Sequence, residues 1–170
     1  GNLRWQQDAK NQETTMSYDL LNRMRTRVDV RNLADPTSVE KTSQWDYYTE
    51  ADPAGSCRSI GKLKSSTDGA ISKNFCYDNL GRIETATSNF DSASYTVATA
   101  YDLYSRVETI TYPAQDAGNQ AAFIKRNVYD AYGHLKAVQD GASNDTLWTT
   151  GTVNASGQIT SESLGNGLTT

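Results

Sequence analysis

Tyr-Asp recurs four times with a common sequel: Tyr18-Asp19-Leu20-Leu21-Asn22-Arg23, Tyr77-Asp78-Asn79-Leu80-Gly81-Arg82, Tyr101-Asp102-Leu103-Tyr104-Ser105-Arg106 and Tyr129-Asp130-Ala131-Tyr132-Gly133-His134. An internal repeat constrains a fold more than any other sequence feature, because each copy must stack on its neighbours to bury anything. Two degenerate copies fit the spacing, at Trp45-Asp46 and at Val153-Asn154-Ala155-Ser156-Gly157, and Gly1-Asn2-Leu3 reads as the tail of another. The repeats then centre near 18–23, 45–50, 77–82, 101–106, 129–134 and 153–158. Their fourth turn positions are 1, 22, 49, 81, 105, 133 and 157, at intervals of 21, 27, 32, 24, 28 and 24 residues. Such a length holds two strands and two turns, not a pair of helices.

The residue types say what the repeat does. Asp at the first position of a type I turn accepts hydrogen bonds from the turn's own amides. The fourth position asks for a left-handed residue, as in a hairpin closed by a type I turn and a G1 bulge. Gly81, Gly133 and Gly157 meet that demand, and Asn22 is the best substitute. Ser105 and Thr49 fit poorly and mark decayed copies. The geometry predicts Tyr77 opposite Arg82, with the guanidinium stacking on the ring or reaching the turn Asp. The motif thus specifies a hairpin, its register and one side-chain clasp.

Between these turns lie variable ones: Thr67–Ala70, Asn89–Ser92, Pro113–Gln120 and Asp140–Asp145. Outgoing strands are predicted over Arg82–Ser88, Arg106–Tyr112 and His134–Gln139, and incoming ones over Tyr95–Tyr101, Ala121–Tyr129 and Thr146–Val153. The fold class is all-β, an antiparallel meander of repeated hairpins. Around Tyr101 one face carries Tyr95, Val97 and Thr99 with Arg106, Glu108, Ile110 and Tyr112; the other carries Thr96, Ala98 and Ala100 with Val107, Thr109 and Thr111. Neither face is cleanly apolar, whereas a packed sandwich needs strong alternation. The expectation is a wide sheet with at least one wet face.

Composition agrees. Only 36% of the 170 residues are hydrophobic, ten Tyr included, and mean hydropathy is −0.66. A net charge of −4 and a pI near 4.9 leave no basic footprint for nucleic acid. The apolar stretches are too short to span a bilayer, and no charged segment followed by an apolar run marks a signal peptide. The opening Gly1-Asn2 reads as a piece of a larger chain.

At this point the repeat resembles the YD repeat of bacterial RHS proteins, shared with toxin-complex C subunits, wall-associated proteins and teneurins. Gly61-Lys62-Leu63, Arg106–Pro113 and Ser163–Thr170 add to the likeness, which runs over essentially all of residues 1–170 and is least regular over 30–60. The resemblance implies one repeat segment that coils as a curved β-strip, part of a hollow shell enclosing a C-terminal toxin, in a secreted or cell-surface bacterial protein. Its partners would be the rest of that shell and the enclosed polypeptide. The family's core with its self-cleavage site is not matched, since Asp52-Pro53-Ala54-Gly55 lacks the context, so no protease residue is carried over.

The remaining candidates are weighed against that reading. His134 is the sole histidine and fills the Arg slot of its repeat, so no triad or imidazole zinc set can be built. Each copy offers one carboxylate where calcium takes several oxygens, which favours turn capping. No catalytic residue, metal or cofactor is expected. Cys57 and Cys76 bracket the hairpin at Asp68-Gly69; regular pairing puts Cys76 near Gly61, so a disulfide requires the 52–59 loop to bring Cys57 across, and two half-buried thiols are the alternative. A competing function is carbohydrate binding or adhesion, with Tyr47, Tyr48 and Trp148 as glycan contacts because aromatic rings stack on sugars.

Overall fold

The computed structural model describes residues 1–30, 39–53, 57, 59–114 and 121–170. Among them run thirteen strands and no helix: β1 (Trp5–Gln7), β2 (Glu13–Tyr18), β3 (Met24–Val30), β4 (Val39–Tyr47), β5 (Leu63–Asp68), β6 (Ile71–Tyr77), β7 (Ile83–Phe90), β8 (Ala93–Tyr101), β9 (Val107–Thr111), β10 (Ile124–Tyr129), β11 (Leu135–Asp140), β12 (Thr146–Thr150) and β13 (Glu162–Leu164). The chain divides into two compact units, Gly1–Tyr95 and Thr96–Thr170, with β8 crossing the division. In the first unit β1 to β7 pair antiparallel in sequence order. The second unit does the same from β8 to β13. The all-β meander expected from the repeat is the fold observed.

The strand predictions need trimming at their ends. β10 starts at Ile124 and not at Ala121, and β12 ends at Thr150, leaving Val153 in an isolated bridge with Ile159. Residues 115–120 of the Pro113–Gln120 loop, and residues 54 and 55 of the Asp52–Gly55 segment, lie outside the described residues.

Two register expectations are corrected. Tyr77 pairs with Ile83, one residue beyond Arg82, and the ladder shifts between Cys76 and Tyr77. Tyr18 with Met24, Tyr101 with Val107, and Tyr129 with Leu135 repeat this offset. The left-handed fourth residue inserts one extra residue into the returning strand, which is what a bulge does. The second correction concerns the copy placed at Trp45-Asp46. Both residues lie inside β4, paired with Ser66 and Ser65, and the shifted residue is Tyr47, opposite Leu63. The turn therefore opens at Tyr48 and closes at Gly61, not Thr49.

Burial is sparse, as the mixed faces require. Among the described residues no large side chain is fully buried; the most covered are Ser43, Tyr48, Cys76 and Tyr77 in the first unit and Ala137 in the second. With so little apolar area removed from water, cross-strand pairs and backbone ladders must carry more of the stability than in a layered domain. Among the described residues no helix is long and apolar enough to cross a membrane.

Candidate functional site

The repeated Tyr-Asp turn is the feature that recurs with chemistry attached, and its atoms superpose in pattern from copy to copy. At Asp78 the backbone N–H donates to the Arg82 carbonyl at 2.9 Å, and the Gly81 N–H donates back to the Asp78 carbonyl at 2.9 Å. One carboxylate oxygen, Oδ1, accepts from the amides of Leu80 (2.9 Å) and Arg82 (2.8 Å). The other accepts Arg82 Nε at 2.7 Å. The same frame surrounds Asp19 with Arg23 and Asp102 with Arg106. One aspartate satisfies two turn amides and a guanidinium at once, which is why no other side chain serves the slot as well.

The fourth residues are left-handed throughout: φ is 61° at Asn22, 74° at Gly81, 64° at Ser105, 91° at Gly133 and 79° at Gly157. Ser105, expected to mark decay, holds the conformation all the same because the Asp102 cap is intact. In the last copy Asn154 replaces Asp, accepts the Ser156 and Gln158 amides through Oδ1, and gives its Nδ2 to Gln158 Oε1. At Asp130 the partner is His134, whose Nδ1 lies 3.3 Å from Oδ2 and whose side chain is largely exposed.

Electrostatics follow from these contacts. Desolvation at the turn opposes ionisation of Asp19, Asp78 and Asp102, but the amides and the guanidinium outweigh it and hold each carboxyl below its ordinary value. At Asp130 the His134 amide is the largest influence and the direction is the same.

The clasp predicted within a repeat also reaches between repeats. Arg23, bound to Asp19, lies with Cζ 4.0 Å from the ring centre of Tyr47 in the next copy, and its terminal nitrogen donates to the Gly61 carbonyl at 2.6 Å. Arg106, bound to Asp102, lies 4.2 Å from the Tyr129 ring centre. Four tyrosine hydroxyls donate backwards, to the carbonyl just past the preceding Arg-slot residue: Tyr18 to Leu3, Tyr47 to Met24, Tyr77 to Leu63 and Tyr129 to Val107, at 2.8 to 3.1 Å. Where Val153 replaces tyrosine, Thr150 Oγ1 donates to the corresponding Leu135 carbonyl at 3.1 Å. The turn glycine is fixed by this seam as well as by its φ. A Cβ on Gly133 would sit 3.2 Å from an Arg106 nitrogen, and one on Gly81 would sit 3.0 Å from Lys62 Cε.

The second copy uses the same frame with different parts. Tyr48 N–H donates to the Lys62 carbonyl at 2.9 Å and Gly61 N–H to the Tyr48 carbonyl at 2.8 Å, with Gly61 at φ 84°. Tyr48 thus stands in the Asp slot, Gly61 in the Gly slot and Lys62 in the Arg slot, and residues 49–60 replace the usual two. Gly61-Lys62 after Tyr47-Tyr48 was the signal available in the sequence; the long separation hid it. Asp52 accepts from the Thr49 amide and hydroxyl and from Lys64. Lys64, first, and the Thr49 amide draw its carboxyl down to about 2. Cys57 and Cys76 are joined by a disulfide, so the loop does bring Cys57 across.

The three residues considered for glycans are each engaged by the protein itself. Tyr47 holds Met24 and carries Arg23; Tyr48 is buried, with its hydroxyl donating to Phe75 O at 2.8 Å; Trp148 Nε1 donates to Glu162 at 2.6 Å. Among the described residues no group of three or more His, Cys, Asp or Glu side chains is placed to share a metal ion. No protein-family model matches this chain, and no curated protein matches it.

Proposed function

We propose that this chain is a non-catalytic repeat segment of an RHS/YD-repeat protein, contributing wall to a β-shell that encloses a C-terminal toxin. The observation that carries the reading is the seam between repeats: each motif Asp caps its own turn and holds the residue in the Arg slot, and Arg23, Arg106, Tyr18, Tyr47, Tyr77 and Tyr129 reach from one hairpin to the next. A strip built this way gains stability by nearest-neighbour contact, so it can extend without a dry core. Wet, mixed faces suit a lumen that holds a polypeptide, and the repeated polar groups already have structural partners, which supports a wall over an enzyme. The disulfide supports a secreted or surface-delivered protein, because such bonds persist in oxidising compartments.

The test is protease protection in the parent protein. A polypeptide encoded after these repeats should resist digestion while the strip is intact and be degraded once the Asp78, Asp102 and Asp130 turns are replaced by Ala. Equal digestion in both proteins would reject the container. A glycan array run on the same material addresses the adhesion reading, which requires binding that survives the Asp substitutions and is lost with Trp148→Ala.

A further inference from the structure

We propose that Cys57–Cys76 is a redox latch on the expanded turn, closed in oxidising surroundings and opened by a dithiol reductant. Three of the most covered side chains among the described residues, Tyr48 at 9%, Cys76 at 8% and Tyr77 at 7% exposure, gather at this one place. The Tyr48 and Tyr77 rings meet edge to face with centres 6.2 Å apart, and each hydroxyl is tied to a backbone carbonyl, of Phe75 and Leu63 respectively. Tyr48 occupies the Asp slot, so no carboxylate caps the head of this turn; among the described residues its ring closes through the Tyr48 and Gly61 amides, with Arg23 on the Gly61 carbonyl and Asp52 holding Thr49 and Lys64. The disulfide supplies the attachment that the missing aspartate gives elsewhere.

The two sulfurs differ in access. Cys57 is exposed and Cys76 is buried, with Glu84 Oε2 3.7 Å from Cys76 Sγ. A reductant thiolate attacks the exposed Cys57 Sγ, the S–S bond breaks, and Cys76 leaves as a thiolate that takes a proton from solvent. The second thiol of the reductant, deprotonated, then displaces Cys57, which leaves and is protonated in turn. Two electrons have passed to the protein and the reductant ends as a cyclic disulfide. The Glu84 carboxylate opposes negative charge at Cys76, which slows both its departure from the bond and its return. The strands on either side keep their own ladders, β4 to β5, β5 to β6 and β6 to β7, and do not need the latch. In a container this sets a reducing compartment as the place where the wall loosens.

Amide hydrogen exchange on the whole chain, with and without dithiothreitol, is the test. The Tyr48, Gly61 and Lys62 amides report on the latch; Val128 and Ala137, paired across β10 and β11, serve as controls. Reduction should speed exchange at the three reporters about tenfold or more and leave the controls unchanged, as expected for a local opening. Cys57→Ala should show the open pattern in both buffers. Unchanged reporters in protein whose two thiols are both alkylated would overturn the proposal. So would loss of protection throughout β4 to β7 on reduction, which would make the bond a staple of the whole unit. Neither readout depends on what a shell encloses, so the latch and the container stand or fall separately.

Discussion

The turn at 102–106 and the turn at 48–62 close the same ring of backbone hydrogen bonds by different means. The first spends one carboxylate on two amides and a guanidinium, and it is complete within five residues. The second has no carboxylate at its head, accommodates residues 49–60, and relies on an Asp52–Lys64 pair and a disulfide. The seam to the neighbouring repeats is nevertheless kept: Tyr47 and Tyr77 reach back to Met24 and Leu63, as Tyr129 reaches back to Val107. What is invariant between the two regions is the joint between hairpins, and what varies is how each tip is shut. The tip is therefore where an insertion is tolerated.

Removing the covalent half of that contrast has the largest expected effect. Cys57→Ser with Cys76→Ser speeds exchange at the Tyr48, Gly61 and Lys62 amides about a hundredfold, equivalent to about 3 kcal/mol of local closure, while the β4 to β7 ladders keep their protection. No substitution at 102–106 should approach that value. Next comes the glycine position. Gly133→Ala should cost about 2 kcal/mol, from a positive φ plus a contact on Arg106, and Gly157→Ala about 1 kcal/mol, because nothing lies within 4 Å of its Cβ. Equal costs would mean the seam does not press on the turn.

The tyrosine hydroxyls sharpen the comparison further. Tyr77→Phe and Tyr129→Phe each forfeit one hydrogen bond to a backbone carbonyl, so both should lose about 1 kcal/mol in thermal or urea unfolding. A much larger loss at Tyr77 would show that its burial against Tyr48 couples the seam to the disulfide.

Acid separates the two tips. Asp102 has a folded pKa below its unfolded value, so its contribution is present above about pH 4 and is lost as pH falls through the folded value. Exchange at the Tyr104 and Arg106 amides should rise on that descent. The Gly61 amide should stay protected further down, because the disulfide does not titrate and Asp52 remains ionised to about pH 2. The smallest effect belongs to His134→Arg, which restores the guanidinium of the other clasps. It should raise Tm slightly; a drop in Tm would contradict a shared frame.

Much of this was legible because period, turn chemistry and strand pattern agree. Asp19, Asp78, Asp102 and Asp130 with left-handed partners gave four turns, and Asn154-Gly157 a fifth, without knowledge of any contact. Three things were not legible. The bulge displaced Tyr77 from Arg82 to Ile83, a one-residue shift that sequence spacing cannot resolve. The Arg23-to-Tyr47 and Arg106-to-Tyr129 stacks join residues more than twenty positions apart, so they appear only when neighbouring hairpins are laid side by side. The expanded tip was misassigned because Trp45-Asp46 resembles the motif by letter, whereas Tyr48, lacking a carboxylate, fills the Asp slot through its backbone alone.

The backward reach of each tyrosine has an evolutionary consequence. A hydroxyl that reaches no further than the carbonyl past the preceding Arg slot needs no knowledge of anything more distant, and a hairpin carrying the motif presents the same carbonyl and accepts the same ring. Duplicating or deleting a hairpin therefore leaves every surviving joint chemically unaltered, so such a gene can lengthen or shorten by unequal crossing-over without a repair mutation elsewhere.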